Sequence, residues 1–333
     1  MTVAGGVLAG LLAELPGPDR SAHDQVAARA ATVLRPAGAF ARLDAVASWL
    51  AGWQGTATPG VQRPHVAVFA ADHGVAVDGV SAYPADVTAA MVEAIRSGVA
   101  TITVLAREAG ATLELFDVGV GRPTGNIRVT DAMSVEEFDE AAAAGATAVE
   151  SVDADLLVVG EIGIGNTTAA AAVAAAALGG DAAGWVGPGT GVVGAALTHK
   201  CDVVQAALDR VGPVAPLEAL RRLGGRELAA MAGAVAAARR RRLPVVLDGF
   251  IAGAAVAPLE VARPGSLDHC IAGHCSAEPG HQRLLEVLGL DPLMQLDLRL
   301  GEGSGALVAV PIIRMAAAAV VEVATFEEWG LQP

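Results

Sequence analysis

Beyond residue 60 the chain alternates between short apolar runs and polar or glycine-rich turns. Six runs carry the rhythm: VAVFA (66–70) before ADHG, LELF (113–116) before DVGVG, LLVV (156–159) before GEIGIGNTT, PVVL (244–247) before DGF, HCIA (269–272) before GHCSAEPG, and LDLRL (296–300) before GEGSG. An unbroken apolar run of this length is the pattern of a parallel strand covered on both faces. Most of the turns lead into alanine-rich helical stretches, and strand–helix alternation builds right-handed βαβ units. The expected fold class is therefore α/β, with a doubly wound, mainly parallel, six-stranded Rossmann-like sheet.

The first sixty residues read differently. Segments 27–34 and 40–53 are predicted helices; Pro36 and Gly38 stop the first, and Phe40, Leu43, Val46 and Leu50 stand at helical spacing in the second. Residues 55–64, rich in Gly, Thr and Pro, read as a connection. The last helix, 305–323, is apolar nearly all round and is expected to pack on more than one side. Three parts follow: a helical segment 1–60 that forms a small subdomain with the C-terminal helix, a Rossmann-like catalytic domain 61–304, and a helix and tail 305–333. Ligands of such sheets bind beyond the carboxyl ends of the strands. Nearly all the polar and glycine motifs fall at those ends, which points to an enzyme acting on small molecules.

Composition narrows the class. The 333 residues are 53% hydrophobic and 17% charged, enough apolar surface to exclude a disordered chain. Lys+Arg 22 against Asp+Glu 36 leaves −14, which excludes a nucleic-acid partner, although a small anion feels its local site and not the global sum. The longest charge-free run, between Glu161 and Asp181, is mostly alanine and glycine with Asn166, Thr167 and Thr168, and reads as a buried soluble segment, not a membrane span. The N-terminus has no basic region and meets Glu14 early, so no signal peptide is expected. With only Cys201, Cys270 and Cys275, the expected compartment is a reducing cytoplasm.

Several turns carry candidate chemistry. Residues 160–168, GEIGIGNTT, follow an apolar strand and precede a strong helix former, and Asn166 or Thr167 can cap that helix. The turn is either a phosphate cradle or an ordinary glycine turn; it matches no dinucleotide fingerprint. Glu302, between Gly301 and Gly303, is either a buried proton acceptor or a surface loop residue. Asp72 and His73 are an acid–base pair or a local turn, and Asp248 can cap the helix that follows it. His269, Cys270, His274 and Cys275 do not form a recognised ligand spacing, so no metal is expected. Residues 239–242, four arginines, read as a solvated helix end. Lys200, the only lysine, follows a glycine-rich loop and can meet a phosphate.

Taken together and in order, DHG(x)₄GVSAYPADVT, GEIGIGNTT, GTGV…HK, LDGF, GHCSAEPGH and RLGEGSGA resemble the nicotinate-nucleotide–dimethylbenzimidazole phosphoribosyltransferase family of cobalamin biosynthesis. The resemblance runs from RPAGAFARLD near residue 35 to ATFEEWG near 330. It implies transfer of phosphoribose from nicotinate mononucleotide to 5,6-dimethylbenzimidazole, giving α-ribazole 5′-phosphate and nicotinate, with no cofactor and no metal. It also implies a homodimer. Glu302 matches the family's base and Glu161 a second carboxylate near the ribose. Gly163, Gly189, Lys200, Gly249 and Ser276 match contacts to the nucleotide, where Asn166 and Thr167 also fall, and Ile162 and Leu300 match positions lining the base pocket. Tyr83 and Met91 stand where the family pattern has a small polar residue and Gln. Pro188 replaces a frequent Arg, and Val192, Val193 and Gly194 replace acidic residues. The aromatic and thioether surface at 83 and 91 leaves room for another acceptor, such as adenine or a phenol. A non-catalytic nucleotide-binding protein is the remaining alternative, and retention of both Glu302 and Glu161 argues against it.

Overall fold

In the structure, a computed structural model that describes residues 6–331, every residue of strand β1 (Pro64–Ala71) is buried. On either side run β2 (Thr112–Gly119) and β3 (Leu156–Ile162), followed by β4 (Val245–Leu247) and β5 (Cys270–Ala272). The sheet order is β2-β1-β3-β4-β5, and every pair is parallel. Alternate side chains enter two cores. Phe69, Leu157 and Val159 face one, while Val66, Val68, Leu156 and Val158 face the other. This double coverage is why β1 and β3 read as unbroken apolar runs, whereas the half-exposed edge strand β2 carries Glu114 and Asp117.

The first core is closed by α1 (Val7–Leu12), α6 (Val135–Glu150), α7 (Asn166–Leu178), α10 (Arg226–Arg240) and α11 (Phe250–Ala262), with α8 (Ala195–Val211), α9 (Pro216–Leu223) and α12 (Pro279–Leu288) around them. Their alanine-rich sequence permits close approach: a Cβ on Gly145 of α6 would lie 1.8 Å from the Ala230 carbonyl oxygen of α10. The second core is closed by α3 (Ala41–Gln54), α4 (Val87–Arg96), α5 (Thr101–Ala109) and α13 (Ser304–Val321). Helix α13 also packs on α2 (Arg20–Ala30) and α3 through Val26, Ala47, Ala51 and Val320. Two stretches, 87–109 and 304–321, are long and apolar enough to cross a membrane. The first is broken between α4 and α5, and the second runs through the second core.

Five of the six predicted strands form; the sixth does not. Asp297 takes a left-handed backbone, φ 53°, which interrupts extension through 296–300. Only β7 (Met294–Gln295) pairs there, in parallel, with β6 (His274–Cys275) in a separate two-stranded sheet. The first predicted helix, 27–34, is displaced. Asp19 accepts from the Ala22 N–H and starts α2 at Arg20, while Val33 leaves the helix to bridge Thr325. The arginines at 239–242 are not all solvated either: Arg239 is buried with its guanidinium over the Trp53 ring.

Candidate active site

Strand order reverses between β1 and β3, since β2 lies outside β1 while β4 and β5 continue beyond β3. Such a switch point opens a crevice at the carboxyl edge of the sheet. A cavity of about 420 Å³ opens there. Its wall contains Tyr83, Met91, Glu161, Ile162, Gly163, Asn166, Thr167, Gly189, Gly249, Ser276, Leu300 and Glu302, all singled out in the sequence. Helices α7, α11 and α13 start at this wall, so three positive helix ends face a net-negative protein's cavity.

Strand β3 delivers Glu161 to the cavity floor. Asn166 Nδ2 donates to its Oε2 at 2.5 Å. Asn166 therefore does not cap α7, nor does Thr167; the N-cap is Gly165, without a side-chain bond. Within 163–168, the Ile164 N–H donates to Thr88 Oγ1, and the Asn166 and Thr168 N–H groups donate to Gly163 and Gly165 carbonyls. The cradle available to an anion is narrower than the motif suggests. Lys200 stands behind the wall, buried, donating to Thr167 Oγ1 (2.8 Å) and the Gly187 carbonyl (2.9 Å). Burial pulls its pKa down to about 8.

Glu302 sits in a turn of three successive left-handed residues: Gly301 (φ 85°), Glu302 (φ 63°) and Gly303 (φ 88°). A non-glycine residue in this region is strained and needs support from its surroundings. Asp248, at the end of β4, supplies part of it. Its Oδ2 accepts the Gly303 N–H at 3.2 Å and its Oδ1 the Ala306 N–H at 2.8 Å. The expected cap on the helix following Asp248 is thus a cap on α13 instead. Glu302 Oε2 is buried and has no hydrogen-bond partner. Burial raises the Glu302 pKa, and Asp248 adds to the rise. Glu161 is raised well above the carboxylate range by burial, then by Asp248, Glu227 and Glu302.

Asp72 and His73 do not act as a pair. Asp72 Oδ2 accepts the Gly121 N–H, whereas His73 Nε2 lies 2.5 Å from Glu227 Oε1 in the interior. On the cavity's far wall, His281 Nδ1 accepts the Ser276 N–H at 2.9 Å and lies 2.9 Å from Ser276 Oγ. Burial and then His274 hold the His281 pKa down near 4, so the ring is neutral and orients the serine hydroxyl. His269 faces the Val235 carbonyl and the Trp53 ring edge, away from His274. Among the described residues no three His, Cys, Asp or Glu side chains converge as a metal site.

Sequence reasoning missed Glu278, Arg299 and Phe250, and weighed His274 only as a metal ligand; all four also line the cavity. Glu278 Oε1 accepts the Gly189 N–H at 2.8 Å, and burial raises its pKa. The available signal was that Glu278 and Arg299 lie inside the GHCSAEPGH and RLGEGSGA segments, beside wall residues.

A family model described as a phosphoribosyltransferase matches residues 15–331. The nicotinate-nucleotide–dimethylbenzimidazole phosphoribosyltransferase of Novosphingobium aromaticivorans is 52% identical over 322 residues, covering 96% of this chain and 95% of its own. That of Cereibacter sphaeroides is 51% identical over 319 residues, covering 95% and 94%. The crystal structure of CobT from Thermus thermophilus superposes with a TM-score of 0.90 at 42% identity, covering 94% of this chain and 99% of that one.

Proposed function

Starting from a chain that belongs to the nicotinate-nucleotide–dimethylbenzimidazole phosphoribosyltransferase family and is an enzyme of phosphoribosyl transfer in cobalamin lower-ligand synthesis, we propose that Glu302 is the base of that reaction. One ring nitrogen of dimethylbenzimidazole attacks the anomeric carbon of nicotinate mononucleotide. The bond to nicotinate breaks and its electron pair returns to the pyridine ring, which leaves neutral. The proton on the other imidazole nitrogen passes to Glu302. Attack opposite the β-bonded nicotinate gives the α-ribazole phosphate by inversion.

The observation that carries the assignment is the Glu302 carboxylate itself. Among the described carboxylates of the cavity wall, only Glu302 keeps a buried oxygen without a partner. Burial raises both acids, but Glu161 is engaged by Asn166 Nδ2 while Glu302 Oε2 stays free to accept a proton. Glu161, held by Asn166, faces the ribose. The starts of α7 and α11 hold the 5′-phosphate, with the Lys200 charge behind them through Thr167; Ser276 faces the nucleotide, and Gly163, Gly189 and Gly249 let it approach. Ile162, Leu300, Tyr83 and Met91 line the acceptor's place. Positioning two substrates in one cavity supplies much of the acceleration. No cofactor or metal enters this balance.

Tyr83 and Met91 in the wall favour one second reading, in which the donor is the same and the acceptor is adenine or a phenol. Competition between dimethylbenzimidazole and these acceptors for one pool of nicotinate mononucleotide, followed by product analysis, separates the readings. We further propose that the enzyme works in the cytoplasm as a homodimer, with 1–60 and the C-terminal helix forming a small subdomain beside the catalytic sheet. Replacement of Glu302 by Gln, with nicotinate release as the readout, tests the base.

A further inference from the structure

A left-handed glutamate is held in place here by a residue that does not reach the cavity. Asp248 follows β4 directly and is 3% exposed. Gly249, not Asp248, lines the cavity. Both oxygens of Asp248 are engaged by the start of α13: Gly303 N–H at 3.2 Å and Ala306 N–H at 2.8 Å. Gly303 is the residue next to Glu302, so this bond fixes the backbone immediately after the base. On the opposite side the Glu302 carbonyl is pressed against Gly160 of β3, where a Cβ would lie 2.2 Å away. The Ser304 N–H closes the turn onto the Gly301 carbonyl at 2.9 Å. A carboxylate at a helix N-terminus is also favoured by the helix dipole, and charge-assisted bonds are the stronger kind.

We infer that Asp248 is the positioning residue of Glu302: by binding the Gly303 and Ala306 N–H groups from the end of β4 it holds the left-handed turn that aims the base. The inference rests on the reading of Glu302 as the base. Asp248 does not line the cavity, although its Oδ1 also lies 3.3 Å from Nε2 of His274, which does; its loss is expected to act on turnover and to leave the nucleotide's affinity level. Asp248→Asn keeps one acceptor oxygen and replaces the other with a donor, so one of the two bonds fails. A misplacement of about 1 Å at a reacting group can lower turnover roughly 10²-fold.

The test is a double-mutant cycle on kcat with dimethylbenzimidazole, with nicotinate mononucleotide affinity measured alongside by calorimetry. Asp248→Asn is expected to lower kcat about 10²-fold in the parent. It should leave nucleotide affinity within about twofold, and it should change kcat by no more than about twofold in the Glu302→Gln background. Asp248→Ser, which can still accept one N–H, serves as the second variant, and thermal unfolding checks both. Parental kcat in the folded variants overturns the inference. So does an equal loss on both backgrounds, or a fall in nucleotide affinity that matches the fall in kcat. If neither variant folds, Asp248 belongs to the fold and not to the base, and the inference fails. Glu302→Gln with parental kcat removes the base reading itself, and with it this role. An equal Asp248→Asn loss on both backgrounds removes only the role of Asp248.

Discussion

Gly160 of β3 and Glu302 of the turn before α13 meet backbone to backbone, so closely that a Cβ on Gly160 would stand 2.2 Å from the Glu302 carbonyl oxygen and 2.7 Å from the Gly303 nitrogen. These atoms are main chain and cannot swing aside. Gly160→Ala is therefore expected to push the Glu302 turn off the sheet. Overpacking of this kind costs roughly 1–3 kcal/mol, read as a lower denaturant midpoint, and kcat should fall with it. Parental stability together with parental kcat would mean that the contact does not constrain the turn.

Lys200 gives a pH prediction with a definite sign. Its pKa is lowered to about 8 by burial, so it is an ammonium below that pH and increasingly neutral above it. A phosphate binds the ammonium. With the phosphate a dianion, above about pH 7, nucleotide affinity should fall as pH rises through 8, by up to about tenfold per pH unit. Lys200→Ala should weaken nicotinate mononucleotide by roughly 1.5–3 kcal/mol and abolish the fall. Calorimetry at several pH values reads both effects. Equal affinity in variant and parent would remove Lys200 from the phosphate site.

Runs 66–70 and 156–159 were legible in the sequence because both faces of the sheet are covered, and every position there is apolar. Run 296–300 alternates leucine with Asp297 and Arg299, for another reason. Leu298 and Leu300 line the cavity, and Leu300 is half-exposed, so apolarity there serves a ligand pocket and not a strand. Most of the site was legible because its residues sit in motifs at strand ends. Glu278 was not, because its partner Gly189 is 89 positions away and only folding joins them. The Glu227 carboxylate beneath His73 was hidden in the same way, inside an alanine-rich helix.

Met91 and Tyr83 predict acceptor preference. Met91 lies on α4 with its side chain in the wall, and Tyr83 stands at the rim, 54% exposed. Met91→Gln exchanges apolar contact for an amide. Because Gln is the residue of the family pattern there, the KM for dimethylbenzimidazole should stay within about twofold while that for a phenol rises, by about tenfold if the lost burial amounts to ~1.4 kcal/mol, and nucleotide affinity stays level. Steady-state kinetics with each substrate varied in turn decides it. A parallel rise in the nucleotide Kd would place Met91 on the donor side.

Turnover should survive exhaustive dialysis against a strong chelator. The leaving pyridine nitrogen is already cationic in the nucleotide, so it needs no Lewis acid, and the phosphate is a handle that does not react. Loss of activity on chelation, with recovery on adding zinc, would contradict the mechanism.

The most direct test is Glu302→Gln. The variant keeps the size of the side chain but cannot accept a proton at neutral pH. General-base catalysis contributes ~10²–10⁴-fold, so kcat with dimethylbenzimidazole should fall by about that factor while nucleotide affinity stays level. The raised Glu302 pKa sets the sign of the pH effect. The carboxylate must be ionised to act, so parental kcat/KM should decline as pH falls, on a limb above the ordinary carboxylate range. That limb should vanish in the variant. With an N-alkylated imidazole, which has no proton to lose, parent and variant should differ far less. Parental kcat for Glu302→Gln with dimethylbenzimidazole would contradict the account and make Glu161 the next residue to test.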